Sequence, residues 1–294
     1  MPEYSPEILK SFAPEKEFFI GIDSDGCVFD SMEIKHKECF CPPFVNHFEL
    51  QPVAKYAREV WEFVNLYSKT RGYNRFKALL RALELLAKRK EVADRRVTVP
   101  QMQGVIDWVG RESRLGNPAL IEEVKRNPDP DLQTALRWST EVNEYVAKIV
   151  RNVPPFPLVT ESLQKLTEQA DAIVVSQTPC EALEREWREH GIGAYVRIIA
   201  GQEMGAKAEH LALAAHGKYQ SDKMLMIGDA PGDYRAAKEN GALFFPINPG
   251  HEEDSWKLLY AEGLGRFFDG SYAGNYENEL VDKFNSHLPE ETPW

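Results

Sequence analysis

Phe18-Phe19-Ile20-Gly21-Ile22-Asp23-Ser24-Asp25-Gly26-Cys27-Val28-Phe29-Asp30-Ser31 is the stretch on which the fold reading turns. Five positions without a polar side chain, bounded by Lys16-Glu17 and Asp23-Ser24-Asp25-Gly26, read as a buried strand that runs into a tight loop. Two carboxylates stand directly after the strand. In open α/β sheets that end of the strand is where ligands bind.

The strand signal returns far downstream, at Ala172-Ile173-Val174-Val175, followed by Ser176-Gln177-Thr178-Pro179. From there the pattern alternates. A helix is predicted from Pro179 to His190, an apolar segment at Val196-Arg197-Ile198-Ile199, and a helix from Lys207 to His216. A strand at Met224–Ile227 and a helix from Pro231 to Asn240, stopped at Gly241, come next. Ala242–Phe245 follows, broken at Pro246. Short apolar strands alternating with helices of about ten residues predict an α/β fold, a Rossmann-like parallel sheet covered on both faces.

The interval between the first two strands has another character. Helical periodicity runs from Met32 to about Val153, with apolar stripes at Val53, Ala57, Val60, Trp61 and Val64, and at Phe76, Leu79, Leu80, Leu83 and Leu86. Further helices are expected at Met102–Val109, Pro118–Lys125 and Leu132–Val150, and Pro154-Pro155-Phe156-Pro157 marks the return to the sheet. The division is therefore a core of 1–31 and 154–294 with an all-helical insert of 32–153. The tail from Gly263 is expected to pack a helix, Tyr276–His287, on the core and then fray.

The chain has 294 residues, 43% hydrophobic and 28% charged, enough for about two domains with a real core. A formal net charge of -11 argues against nucleic acid or an anionic membrane as partner, while a small anionic substrate in a local cationic pocket stays compatible. Four cysteines are too few for a disulfide framework, and Cys39-Phe40-Cys41 lacks the matching half of a metal site. They read as small apolar residues in a reducing cytosol. Pro2, Glu3, Pro6, Glu7 and Lys10 lack the basic and apolar regions of a signal peptide, and no apolar run reaches the ~20 residues of a membrane span.

Asp23 and Asp25 after the first strand, Ser176 after the second, and Gly228-Asp229-Ala230-Pro231-Gly232-Asp233 after the strand ending at Ile227 converge on one sheet edge, with Lys207 at a helix start between the last two. Clustered carboxylates need a cation. Hard oxygen ligands without His or Cys point to Mg²⁺, whose shell is often completed by phosphate. The hydroxyl and the ammonium suit the remaining phosphate oxygens.

These residues, in this order, resemble the haloacid dehalogenase superfamily. Asp23-Ser24-Asp25-Gly26-Cys27-Val28-Phe29-Asp30-Ser31 is similar to its first motif, Ser176 to the second, Lys207 to the third and Gly228–Asp233 to the fourth. The helical insert occupies the place of a mobile cap. Cys27 stands where Thr is common, and Ala208 follows Lys207 where Pro is usual; Lys218 and Lys223 lie farther from the helix start. The resemblance implies Asp23 as nucleophile forming an aspartyl-phosphate and Asp25 as general acid and base. It implies Mg²⁺ held by Asp23, the Asp25 carbonyl, Asp229 and Asp233, and phosphoryl oxygens held by Ser176, Lys207 and amides near Gly26 and Gln177.

An Asp retained at position 25 favours phosphate esters over the halide and phosphonate chemistry of the family. Hydrolysis of a small phosphorylated metabolite is the leading reading. A sugar phosphomutase is the first alternative, and a low-turnover binding protein on the same scaffold the second. In relatives with related caps a Gly-x-x-Arg loop faces the substrate, and Gly72-Tyr73-Asn74-Arg75 matches it. Arg75, with Arg71 and Lys69, then binds a second anionic group; a solvated basic turn fits the same residues. His36, His47 and His216 have no partner at metal spacing, Trp61, Trp108 and Trp138 fit insert-core stripes, and Glu252-Glu253-Asp254 fits a helix first turn.

Overall fold

The computed structural model describes residues 4–294, so Pro2 and Glu3, used above against a leader, lie outside the described residues. Five strands, β1 (Phe18–Ile22), β2 (Ala170–Val175), β3 (Ile198–Ala200), β4 (Met224–Gly228) and β5 (Leu243–Pro246), form one parallel sheet in the order β3-β2-β1-β4-β5. The continuous apolar runs follow from burial on both faces. Successive side chains alternate sides. Ile20, Ile22, Val174, Leu225 and Ile227 join Trp187, Trp256 and Phe267 in one apolar layer. Phe19, Ile173, Val175 and Met226 join Leu211, Phe244 and Phe284 in the other.

Strand ends differ from the sequence reading where side chains intervene. β2 begins two residues early because Asp171 is buried with its own partners, Tyr219, Arg197 and the amides of Glu15 and Lys16. β3 starts at Ile198, since Arg197 turns to Asp171 and Val196 closes the short turn Gly193–Tyr195. β5 lies at the sheet edge and takes in Pro246 as its last residue, where no N–H is needed.

The chain divides into two compact units, Met1–Ser31 with Asn152–Leu288, and Met32–Arg151 with Pro289–Trp294. The second is helical, with Ala54–Asn65, Arg75–Ala87, Gln103–Arg111, Asn117–Arg126 and Pro130–Ile149 as its main helices. Trp61, Trp108 and Trp138 are fully buried in its core with Phe44, Phe76 and the free thiols Cys39 and Cys41. His47 pairs with Glu141 at 2.5 Å.

Two boundaries shift from the sequence reading. The Pro154-Pro155 segment lies in the sheet unit, as read: Phe156 N–H donates to Val28 O at 2.9 Å and Pro155 bridges Phe29; the division itself falls two residues earlier, at Arg151/Asn152. The last six residues group with the helical unit instead of fraying from the core. Lys69 N–H donates to Pro289 O at 3.2 Å, and the Trp294 ring lies 4.4 Å from the Arg89 guanidinium and meets Phe63 edge-on. Among the described residues no helix is long and apolar enough to cross a membrane.

Candidate active site

The loop after β1 is built by its own backbone. Asp23 N–H donates to Ile227 O at 2.9 Å, carrying the β1–β4 ladder one residue past the strand. Ser24 O then accepts from the amides of Cys27, Val28 and Phe29. Gly26 turns the chain at φ +75°, a conformation open to glycine. Its N–H donates to Phe29 O at 2.9 Å, so this amide, one of those read as holding phosphate, is taken up by the loop itself.

Asp23 is thereby fixed at the carboxyl end of the central strand, buried, next to the end of β4. There Asp229 is also buried, and Asp233 opens the helix Pro231–Glu239. Gly228 makes the approach possible: a Cβ on it would lie 2.4 Å from that of Asp233. Asp233 Oδ2 accepts from Ala230 N at 3.0 Å, capping its own helix, while its Oδ1 accepts from Lys207 Nζ at 2.6 Å. Lys207 Nζ also lies 2.7 Å from Asp23 Oδ2. Lys207 is set by its helix start, where Glu209 accepts from Ala206 N at 2.7 Å. Lys218 is spent on the carbonyls of Leu9, Lys10, Phe12 and Leu213, and Lys223 pairs with Glu17.

Three carboxylates thus share one ammonium, and the site is short of positive charge. Burial pushes the Asp23 carboxyl well above the ordinary range; Lys207 opposes the rise, and Asp233 and Asp229 add to it. Asp233 is raised too, by burial first. Burial works to lower the Lys207 ammonium, but the carboxylates of Asp23, Asp233 and Asp229 raise it above its usual value. One oxygen from each of Asp23, Asp229 and Asp233 lies within 4.8 Å of the others. A buried set of hard, anionic oxygens with surplus negative charge fits a divalent cation such as Mg²⁺. The Asp25 carboxylate is outside that set.

Asp25 accepts from Ser31 Oγ at 2.5 Å and from Thr178 Oγ1 at 2.7 Å. Ser176 is buried at the end of β2, its Oγ accepting from Thr178 N at 3.2 Å. The Gln177 side chain turns to Gly205 O at 3.0 Å, and among the described residues its amide N–H has no acceptor. Cys27 is buried, its Sγ 3.7 Å from Ile227 O, and burial foremost, with Asp229 next, holds the thiol well above its usual range. The sequence reading takes Ser31 as the end of the first motif and gives Thr178 no role, and predicts a bond to Asp25 from neither. The only signal was the run of hydroxyl residues in Ser176-Gln177-Thr178 and the terminal Ser31 of the first loop.

Arg71 and Arg75 both lie in the helical unit. Arg71 is buried and donates to Leu66 O at 3.0 Å. Asn74 caps the helix Arg75–Ala87 by accepting from Phe76 N at 3.0 Å. Arg75 Nη1 donates to Ser139 Oγ at 3.0 Å and Asn143 Oδ1 at 2.7 Å, with its guanidinium 5.2 Å from the Phe40 ring centroid. Burial lowers its pKa to about 10. Among the described residues it has no carboxylate partner.

Residues 114–246 match a family model described as haloacid dehalogenase-like hydrolase. The matched range takes in Ser176, Lys207, Asp229 and Asp233, and Asp23 and Asp25 lie before it. No curated protein matches the chain. Among solved structures, a protein from Lactobacillus delbrueckii subsp. bulgaricus provisionally described as a phosphoglycolate phosphatase is 16% identical, over 84% of this chain and 92% of that one, with a TM-score of 0.49. A haloacid dehalogenase-like family hydrolase from Streptococcus pneumoniae is 15% identical, over 83% and 90%, with a TM-score of 0.42.

Proposed function

We propose that the chain is a haloacid dehalogenase-like hydrolase and, within that family, a Mg²⁺-dependent phosphatase acting on a small phosphate monoester. The observation that carries this reading is the position of Asp23: buried at the end of the central strand, 2.7 Å from Lys207 Nζ and grouped with Asp229 and Asp233. A carboxylate that only caps a turn needs neither a buried ammonium nor two further buried carboxylates.

In the proposed reaction Asp23 attacks phosphorus in line, forming an acyl phosphate as the bond to the leaving oxygen breaks. Asp25 gives that oxygen a proton and then takes one from the water that attacks phosphorus and frees Asp23. Asp23, Asp229, the Asp25 carbonyl and, directly or from behind, Asp233 would hold Mg²⁺, which supplies charge neutralisation for the phosphoryl oxygens when bound. Lys207, Ser176 and the Gln177 amide hold the remaining oxygens. The helical unit stands in the sequence at the place of a cap that admits substrate and excludes water, with the Asp30-Ser31 and Pro154-Pro155 segments as its connections. Arg75, and Arg71 with it, recognises a second anionic group: the half-buried Arg75 guanidinium donates to Ser139 and Asn143 and, among the described residues, has no carboxylate partner, which suits it to an external one. The setting is the cytosol and the partner a phosphorylated metabolite.

The test is phosphate release across sugar phosphates, phosphoglycolate and nucleotides, with and without Mg²⁺. Release that disappears in Asp23→Asn and in chelator is expected. Isomerised product without release would move the reading to a phosphomutase, and no change in any compound would remove it.

A further inference from the structure

Asp25 is held by a residue that the fold brings from another strand end. Thr178 stands two residues past Ser176, and its Oγ1 donates to Asp25 Oδ2 at 2.7 Å across 153 positions of sequence. Its backbone is fixed on both sides: its N–H donates to Ser176 Oγ at 3.2 Å, and its carbonyl accepts from Gln202 N at 3.1 Å. One residue beyond Pro179, Cys180 N–H donates to Glu203 Oε2 at 2.9 Å, which ties the same loop to the segment leading into Lys207. The other Asp25 oxygen is taken by Ser31 Oγ. A hydroxyl whose main chain is pinned in this way sets a direction for the carboxylate it touches.

We propose that Thr178 is a positioning residue for Asp25, orienting the carboxyl group that passes its proton to the leaving oxygen. The proposal rests on the phosphate-monoester reading above and goes beyond it. A hydroxyl suits the task because it donates to the carboxylate and accepts from the carboxylic acid, so the contact survives both protonation states. Valine has the same shape and does neither. As the bond from Asp23 to phosphorus forms, the bond from phosphorus to the leaving oxygen breaks and the Asp25 proton moves to that oxygen. An alkyl leaving group needs the proton, whereas a nitrophenolate leaves without it.

The experiment compares wild type, Thr178→Val and Thr178→Ser on two probes: the alkyl phosphate of the panel that wild type turns over fastest, and para-nitrophenyl phosphate. Thr178→Val is expected to lower kcat on the alkyl ester by about tenfold or more, with KM within about twofold. The loss on the aryl ester is expected to be much smaller, and Thr178→Ser to restore the alkyl rate. A raised KM with kcat intact would overturn the proposal, because Thr178 would then touch substrate. Equal loss on both esters, or no recovery in Thr178→Ser, would overturn it as well. Thr178→Ala removes the same hydroxyl with less steric demand; if neither it nor Thr178→Val folds, Thr178 is structural and the proposal falls. A wild type that hydrolyses only the aryl ester gives Asp25 no proton to deliver and also overturns it. A wild type inert on both probes overturns the phosphatase reading itself, a result seen before any variant is compared.

Discussion

Lys207 balances the charge of the site at the scale of one side chain. Its ammonium sits 2.6 Å from Asp233 and 2.7 Å from Asp23. Lys207→Met leaves buried carboxylates facing one another, a loss that costs on the order of 3–5 kcal/mol when a buried pair is broken. Phosphate release is expected to fall by about 100-fold or more, since the donor proposed for the transferred group is gone. Denaturant unfolding and turnover measured on the same preparation check both. Gly228→Ala is expected to lower stability by about 1–3 kcal/mol in the same assay, because its Cβ would overlap Asp233 and push it out of place. Asp23, Asp229 and Asp233, with Lys207 beside them, lie close together because parallel strands end at one edge, so position along the chain goes far to fix place in space. Thr178 was not, since its bond to Asp25 depends on how two side chains meet from different loops. The Gly26 amide misled for the opposite reason: a loop glycine looks available until its hydrogen bond to Phe29 is known.

At the scale of the element, β2 carries polar groups at both ends. Ser176 lies at the end that faces the site. At the other, Asp171 is buried and accepts from the amides of Glu15 and Lys16, from Tyr219 Oη and from Arg197 Nη1. Burial works to raise its carboxyl, but the bonds from Tyr219, the two amides and Arg197 outweigh it and hold the pKa below the usual value. A group depressed in the folded state adds stability above its unfolded pKa of about 3.9 and loses it as pH falls through the lower folded value. Asp171→Asn is therefore expected to cost about 1.5–3 kcal/mol at pH 7, with the difference from wild type narrowing below about pH 4. Urea unfolding at both pH values measures it, and a difference that grew on acidification would contradict the assignment. The strand itself was legible from Ala172 onward. Its first two residues were hidden because Asp171 reads as a surface residue until partners from three other segments are brought to it.

Among the described residues of the whole molecule, apolar side chains gather on both faces of the sheet and, separately, among the helices, regions that differ in sequence periodicity. Where the chain crosses between them was less legible. Pro154-Pro155 reads as the start of the return to the sheet, and Phe29 and Val28 hold that segment to the sheet unit, which begins two residues earlier at Asn152. The last six residues looked like a loose end, but the Trp294 ring covers Arg89 and Phe63. Deleting residues 289–294 is expected to speed amide exchange in the helices Ala54–Asn65 and Arg75–Ala87 and leave the strands unchanged, by removing contacts worth about 0.5–2 kcal/mol. Hydrogen exchange read by mass spectrometry resolves the two units, and faster exchange in the strands would contradict this. The proposed chemistry makes a sharper demand: during turnover one carboxylate must carry phosphorus. Acid-quenching the enzyme with its best phosphate ester and Mg²⁺, followed by peptide mass spectrometry, is expected to find a phosphoryl group on Asp23 and none in Asp23→Asn. Steady turnover with Asp23 unmodified, or with Asp23→Asn still active, would contradict Asp23 as the nucleophile.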